Sequence, residues 1–126
     1  MEQKKELKIG IVGCGMISRY HALAVQETEG ISLTGCCSHS YESACALAKE
    51  FSITAWESYE DMLADGGLDT VAICTPSGDH ARQILMALNA GKHVVVEKPM
   101  CLTLEEADKV VRKADETGLV VCTISQ

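Results

Sequence analysis

Gly13-Cys14-Gly15-Met16-Ile17-Ser18 directly follows an apolar run and leads straight into a helical pattern. A pyrophosphate needs free backbone N–H groups at a helix N-terminus and no Cβ atoms in the way. Gly13 would make the tight turn and Gly15 would let a diphosphate come close, with the anion lying over Gly13, Gly15, Met16 and Ile17. The third small position of such a loop, usually glycine, is Ser18, which can hydrogen-bond nearby backbone. From these six residues alone, an ordinary glycine-rich turn reads equally well.

Chemistry of this kind needs elements to hold it. Beyond the turn, Ile17, Ala24 and Val25, with His21 or Tyr20 at the margin, recur at helical spacing and predict a helix over 16–29 that ends at Gly30. Residues 31–37 read as a strand, and Ser40 caps a helix carrying Ala44, Leu47, Ala48 and Phe51. Residues 53–56 are a short strand candidate. Ser58-Tyr59-Glu60-Asp61 resembles a capping box opening a brief helix toward Ala64, broken at Asp65-Gly66-Gly67. Residues 69–74 form an apolar strand stopped by Thr75-Pro76-Ser77-Gly78, after which Asp79 opens a helix bearing Ile84, Leu85 and Leu88. Residues 93–96 form the next strand, which Glu97-Lys98-Pro99 ends. Thr103-Leu104-Glu105-Glu106 then caps a helix striped by Leu104, Ala107, Val110, Val111 and Ala114, and a last strand covers 119–124.

Strands apolar on both faces, alternating with amphipathic helices, predict an α/β fold: a doubly wound, mainly parallel Rossmann-type sheet with helices on both faces. Residues 1–6 read as a tail and 7–126 as one dinucleotide-binding domain. Such a sheet binds ligands beyond the C-terminal ends of its strands, where strand order reverses. Loops 13–18, 38–40, 75–80 and 97–99 each follow a predicted strand, so they converge on one crevice.

Composition narrows the function classes. The 126 residues, 47% hydrophobic and 23% charged, suit one globular core. No run approaches the roughly 18 apolar residues of a membrane span, and the first residues lack a signal peptide's apolar segment. A net charge of -7 with one Trp, three Tyr and one Phe argues against a nucleic-acid surface. Seven cysteines without a C-x-x-C pair predict reduced thiols in a cytoplasm. His21, His39, His80 and His93 are scattered without metal-ligand spacing, so no metal is expected.

Three stretches together resemble the Gfo/Idh/MocA family of nucleotide-dependent oxidoreductases over about residues 7–126: Gly13-Cys14-Gly15-Met16-Ile17-Ser18-Arg19-Tyr20-His21, Thr75-Pro76-Ser77-Gly78-Asp79-His80, and Gly91-Lys92-His93-Val94-Val95-Val96-Glu97-Lys98-Pro99. The last is the most specific. The resemblance implies an NAD(P)-dependent dehydrogenase acting on a sugar, polyol or related hydroxy or carbonyl compound. It places Lys98 beside the nicotinamide and the reacting carbon, Glu97 near the nicotinamide ribose, and Pro99 in the turn, with a cis peptide before it. A lysine there can hydrogen-bond an alcohol or carbonyl oxygen while hydride moves; by spacing alone it reads as a solvated lysine at a strand end. Thr75 and Pro76 would shape the loop under the cofactor. Ser77 stands where the family often has Asn. His80 matches a recurrent family position and is a candidate for catalysis and cofactor contact, or for ordering the loop through a hydrogen bond.

Much of the family ends the second strand with an acid that binds the adenosine ribose hydroxyls, and here the position is Ser38. A carboxylate about 5 Å from a 2′-phosphate would repel it by roughly 3 kcal/mol per unit charge at an effective dielectric near 20. Losing the ribose hydrogen bond to a charged group costs roughly 1.5 to 3 kcal/mol. Ser38, His39 and Ser40 can all donate to a phosphate, so NADP(H) is expected to be favoured over NAD(H); alternatively, the three make a turn and cap the next helix.

Family members run to over twice this length, with a second domain carrying much of the substrate pocket. The chain is thus expected to be the cofactor piece of a two-domain protein, poorly active alone, with the small-molecule substrate held by the second domain. Surface near 119–124, left uncovered, predicts a homo-oligomer. Two other functions remain open: a non-catalytic nucleotide-binding sensor or regulatory module, and an NAD-dependent glycosidase of the same family.

Overall fold

The structure, a computed structural model, describes residues 6–65 and 67–125. Most of the expected tail, Gly66 and Gln126 lie outside the described residues.

Six strands, β1 (Leu7–Val12), β2 (Ile31–Cys37), β3 (Thr54–Ala55), β4 (Thr70–Ile73), β5 (His93–Glu97) and β6 (Val121–Ile124), form one sheet in the order β3-β2-β1-β4-β5-β6. Every pairing is parallel. The helices are α1 (Met16–Gln26), α2 (Tyr41–Phe51), α3 (Tyr59–Leu63), α4 (His80–Asn89) and α5 (Leu104–Thr117). Strand order reverses between β1 and β4, so the crevice of the doubly wound fold opens there.

Parallel pairing buries both faces, and each face has its own core. On one side Val71, Ile73, Val94 and Val96 pack with Ile84, Leu88 and Val110 of α4 and α5. On the other, Ile9, Ile11, Cys36 and Ala72 pack with Ala22 and Val25 of α1 and Leu47 and Phe51 of α2. Burying each of the larger aliphatic side chains contributes about 1.5–3 kcal/mol.

Capping residues start most helices where the sequence indicates. Ser40, Ser58 and Thr103 accept from the backbone N–H of Ser43, Asp61 and Glu106 at 3.3, 3.0 and 3.1 Å. The box at Thr103 is offset: Glu106 Oε1 accepts from Leu102 N–H at 2.9 Å, one residue before the cap. Asp79 caps nothing. The chain enters α4 through a 3-10 turn, Ser77–Asp79, and the Asp79 side chain pairs with Arg82 at 3.5 Å instead.

Two expectations for α1 are corrected. It ends at Gln26, not at residue 29, because the Thr28 hydroxyl donates to Ala24 O at 2.6 Å and its N–H to Val25 O at 3.1 Å, which closes the last turn early. Gly30, with φ +85°, instead turns the chain into β2. The buried face is Ser18, Ala22 and Val25, whereas Ile17 and Ala24 face outward. The phase of the helix is set at its start, where Ser18 Oγ donates to Gly13 O at 2.7 Å.

Candidate functional site

The C-terminal ends of β1, β2 and β4 open on a cleft of about 970 Å³. Gly13, Gly15, Ser38, His39, Thr75 and Pro76 all line it, so three of the four expected loops meet there. The two glycines do different work. A Cβ at Gly13 would lie 2.5 Å from the Cys74 carbonyl oxygen, and φ is +98°, so the close approach of β1 to β4 needs glycine. A Cβ at Gly15 would meet nothing within 4 Å; it would project into open space. Gly15 is also the N-cap of α1, which has no side-chain cap and no acid in its first turn. Its leading N–H groups are thus uncovered by side chains, and this arrangement fits a diphosphate.

Electrostatics in the turn centre on thiols. Cys14, between the glycines, donates its thiol to Cys37 O at 3.7 Å, while the Cys36 thiol donates to Ala44 O at 3.3 Å; the neighbouring Cys36 thiol draws Cys14 below its ordinary range, burial opposes this and Ser38 adds a smaller lowering. Burial pushes Cys37 and Cys74 up to about 12.

The remaining expected residues lie outside the cleft. Met16 and Ile17 point outward, 77% and 39% exposed. Ser40 is engaged in capping α2. Glu97 and Lys98 stand at the end of β5, on the far side of β4 from the glycine turn, and the Lys98–Pro99 peptide is cis. Lys98 is exposed and makes no ion pair among the described residues. Glu97 Oε1 lies 2.6 Å from His21 Nε2 of α1.

His80 is 1% exposed, with Nδ1 2.6 Å from Pro99 O and Nε2 2.7 Å from Thr75 O. Both ring nitrogens are occupied by backbone carbonyls. The expectation that His80 acts on a substrate does not suit this geometry, because the ring has neither a free nitrogen nor an open face. It ties the loop after β4 to the turn after β5.

Sequence reasoning missed the loop after β3. Glu57, Ser58 and Glu60 line the cleft from there, with Arg82 and Gln83 of α4 opposite. Gln83 is held by Thr75, whose hydroxyl donates to Oε1 at 2.5 Å, and its carbonyl accepts from Tyr59 at 2.6 Å. The strand-end rule that located the other loops applies equally after residues 53–56, but a strand of two residues is a faint signal.

Residues 7–125 match the family model described as an oxidoreductase family with an NAD-binding Rossmann fold, Gfo/Idh/MocA. The chain is 34% identical to scyllo-inositol 2-dehydrogenase (NAD(+)) of Bacillus subtilis over 94% of its own length and 35% of the relative's. Its fold superposes with a TM-score of 0.92 on the WlbA dehydrogenase of Bordetella pertussis, solved with NADH and UDP-GlcNAcA, at 32% identity over 98% of this chain and 36% of that one. KijD10, a 3-ketoreductase from Actinomadura kijaniata solved with NADP and TDP-benzene, gives 0.89 at 29% identity, over 94% and 37%. The chain spans roughly a third of the length of the curated relatives it matches. A single family model that covers nearly all of the chain, agreeing with the glycine turn and parallel sheet, places this chain in the Gfo/Idh/MocA oxidoreductase family as an NAD-binding Rossmann domain.

Proposed function

We propose that this domain seats the dinucleotide of a dehydrogenase or reductase acting on a sugar, polyol or related hydroxy or carbonyl compound. The observation that carries the reading is that the uncapped N-terminus of α1 at Gly15 and the Glu97-Lys98-Pro99 turn stand at the same edge of one sheet. When bound, the nicotinamide accepts or donates hydride. Gly13 and Gly15 hold the diphosphate over Met16 and Ile17, and Thr75 and Pro76 shape the floor between the two ends. Lys98, exposed and without a carboxylate partner among the described residues, exchanges the hydroxyl proton of the substrate at its Nζ. His80 serves as a positioning residue that keeps Thr75 and Pro99 in place.

The preference for NADP(H) belongs to the same proposal. No carboxylate follows β2, and Ser38 and His39 line the cleft with donors. Arg82 adds a cation, paired at 3.5 Å with Asp79 at the same cleft, while Glu57 and Glu60 oppose it from the β3 side. Fluorescence titration with NADPH and NADH tests both levels: binding of either supports the domain's role, and tighter NADH binding overturns the preference.

A cytoplasmic location agrees with seven free cysteines. Among the described residues no helix is long and apolar enough to cross a membrane. The edge strand β6 and the exposed Val120 beside it suit homo-oligomer formation; light scattering that finds only monomer at high concentration would exclude it.

A further inference from the structure

His21 joins the two ends of this site. Ser18 pins α1 to the glycine turn through Gly13 O at 2.7 Å, and His21, one turn further on, reaches over β4 to Glu97 at 2.6 Å. The two side chains are 18% and 17% exposed, so the contact is largely shielded from water. Glu97 lies on the sheet face turned toward α1: its neighbours Val94 and Val96 pack on the opposite side, and its charge helps raise the Cys74 thiol at the end of β4. An acid at a strand end would ordinarily turn to solvent; here the histidine holds Oε1, which leaves Oε2 to address a ligand.

We propose that His21 is a positioning residue for the nicotinamide end of the cofactor, fixing the Glu97 carboxylate in the orientation from which it accepts a ribose hydroxyl. The inference rests on the cofactor reading above. It requires only that a ring N–H donate to the carboxylate, which neutral imidazole and imidazolium both provide. Because the link begins on the helix that carries the diphosphate site, it sets the span between that site and the nicotinamide ribose.

The test compares the intact chain with its variants in binding NADPH or NADH, and in binding ADP, which has the diphosphate but lacks the nicotinamide and its ribose. His21→Leu is expected to weaken the reduced dinucleotide about tenfold, the scale of one lost charge-assisted hydrogen bond, and to change ADP affinity by less than about twofold. His21→Gln, which retains an N–H donor, should recover most of the loss. Combining His21→Leu with Glu97→Gln should weaken binding no further than the worse single variant, as for two residues acting through one contact. Unchanged dinucleotide binding in His21→Leu, an equal loss for ADP, or no recovery in His21→Gln would overturn the inference. Failure of the unaltered chain to bind any of these nucleotides would instead overturn the cofactor reading.

Discussion

The carbonyl oxygen of Cys74 lies 2.5 Å from where a Cβ on Gly13 would stand, and the carbonyl carbon lies at 2.9 Å. Thus the phosphate-binding turn and the end of β4 are in contact through bare backbone. Gly13→Ala should therefore lower the melting temperature, by about 2 kcal/mol of stability from the positive φ and the clash. Gly15→Ala, whose Cβ enters open space, should leave melting within about 1 kcal/mol yet weaken NAD(P)H binding. Calorimetry and titration of the two variants separate the roles; equal melting in both would contradict them.

His80 should matter for folding before it matters for chemistry. His80→Ala removes the ring whose nitrogens lie 2.6 Å from Pro99 O and 2.7 Å from Thr75 O and opens a cavity, a loss of about 2–4 kcal/mol. His80→Gln restores one donor and should recover part of it in urea denaturation.

Lys92 offers a similar test on the other edge of the sheet. Its ammonium, on a residue only 6% exposed, donates to Asp65 O and Leu68 O, both at 2.8 Å. Lys92→Met keeps the stem and removes both bonds, so stability should fall by about 2 kcal/mol, roughly 5–10 °C in melting temperature.

Alkaline pH should loosen the fold through its thiols. Cys37 and Cys74 are pushed up to about 12 in the folded chain, against an ordinary value of 9.0, chiefly by burial. Below pH 9 the raised values make their full contribution. Above it the unfolded chain sheds protons that the folded chain keeps, and stability falls by about 1.4 kcal/mol per pH unit for each thiol until the folded values are reached. The urea midpoint measured from pH 8 to 11 should decline accordingly, and Cys74→Ala should reduce the slope.

Cys14 behaves in the opposite sense. The neighbouring Cys36 thiol lowers it, and it lines the cleft. Alkylation of Cys14 by iodoacetamide, followed by mass spectrometry, should reach half its maximal rate below pH 9, and bound NAD(P)H should slow it.

The alternation of strands and helices was legible in the sequence, because continuous apolar runs, apolar stripes at helical spacing and the caps Ser40, Ser58 and Thr103 are local properties of the chain. The sequence by itself also determined which loops follow strands, and hence that Gly13, Ser38, Thr75 and Lys98 share one edge. Tertiary structure decided what those residues touch. No local pattern relates His21 to Glu97, 76 positions apart, or encloses both nitrogens of His80 between Thr75 and Pro99; such pairings depend on how α1 and α4 lie on the sheet. The exposure of Ile17, which helical spacing alone assigns to the core, has the same origin. Only the packed chain fixes the rotation of α1, through the short bond from Ser18 to Gly13.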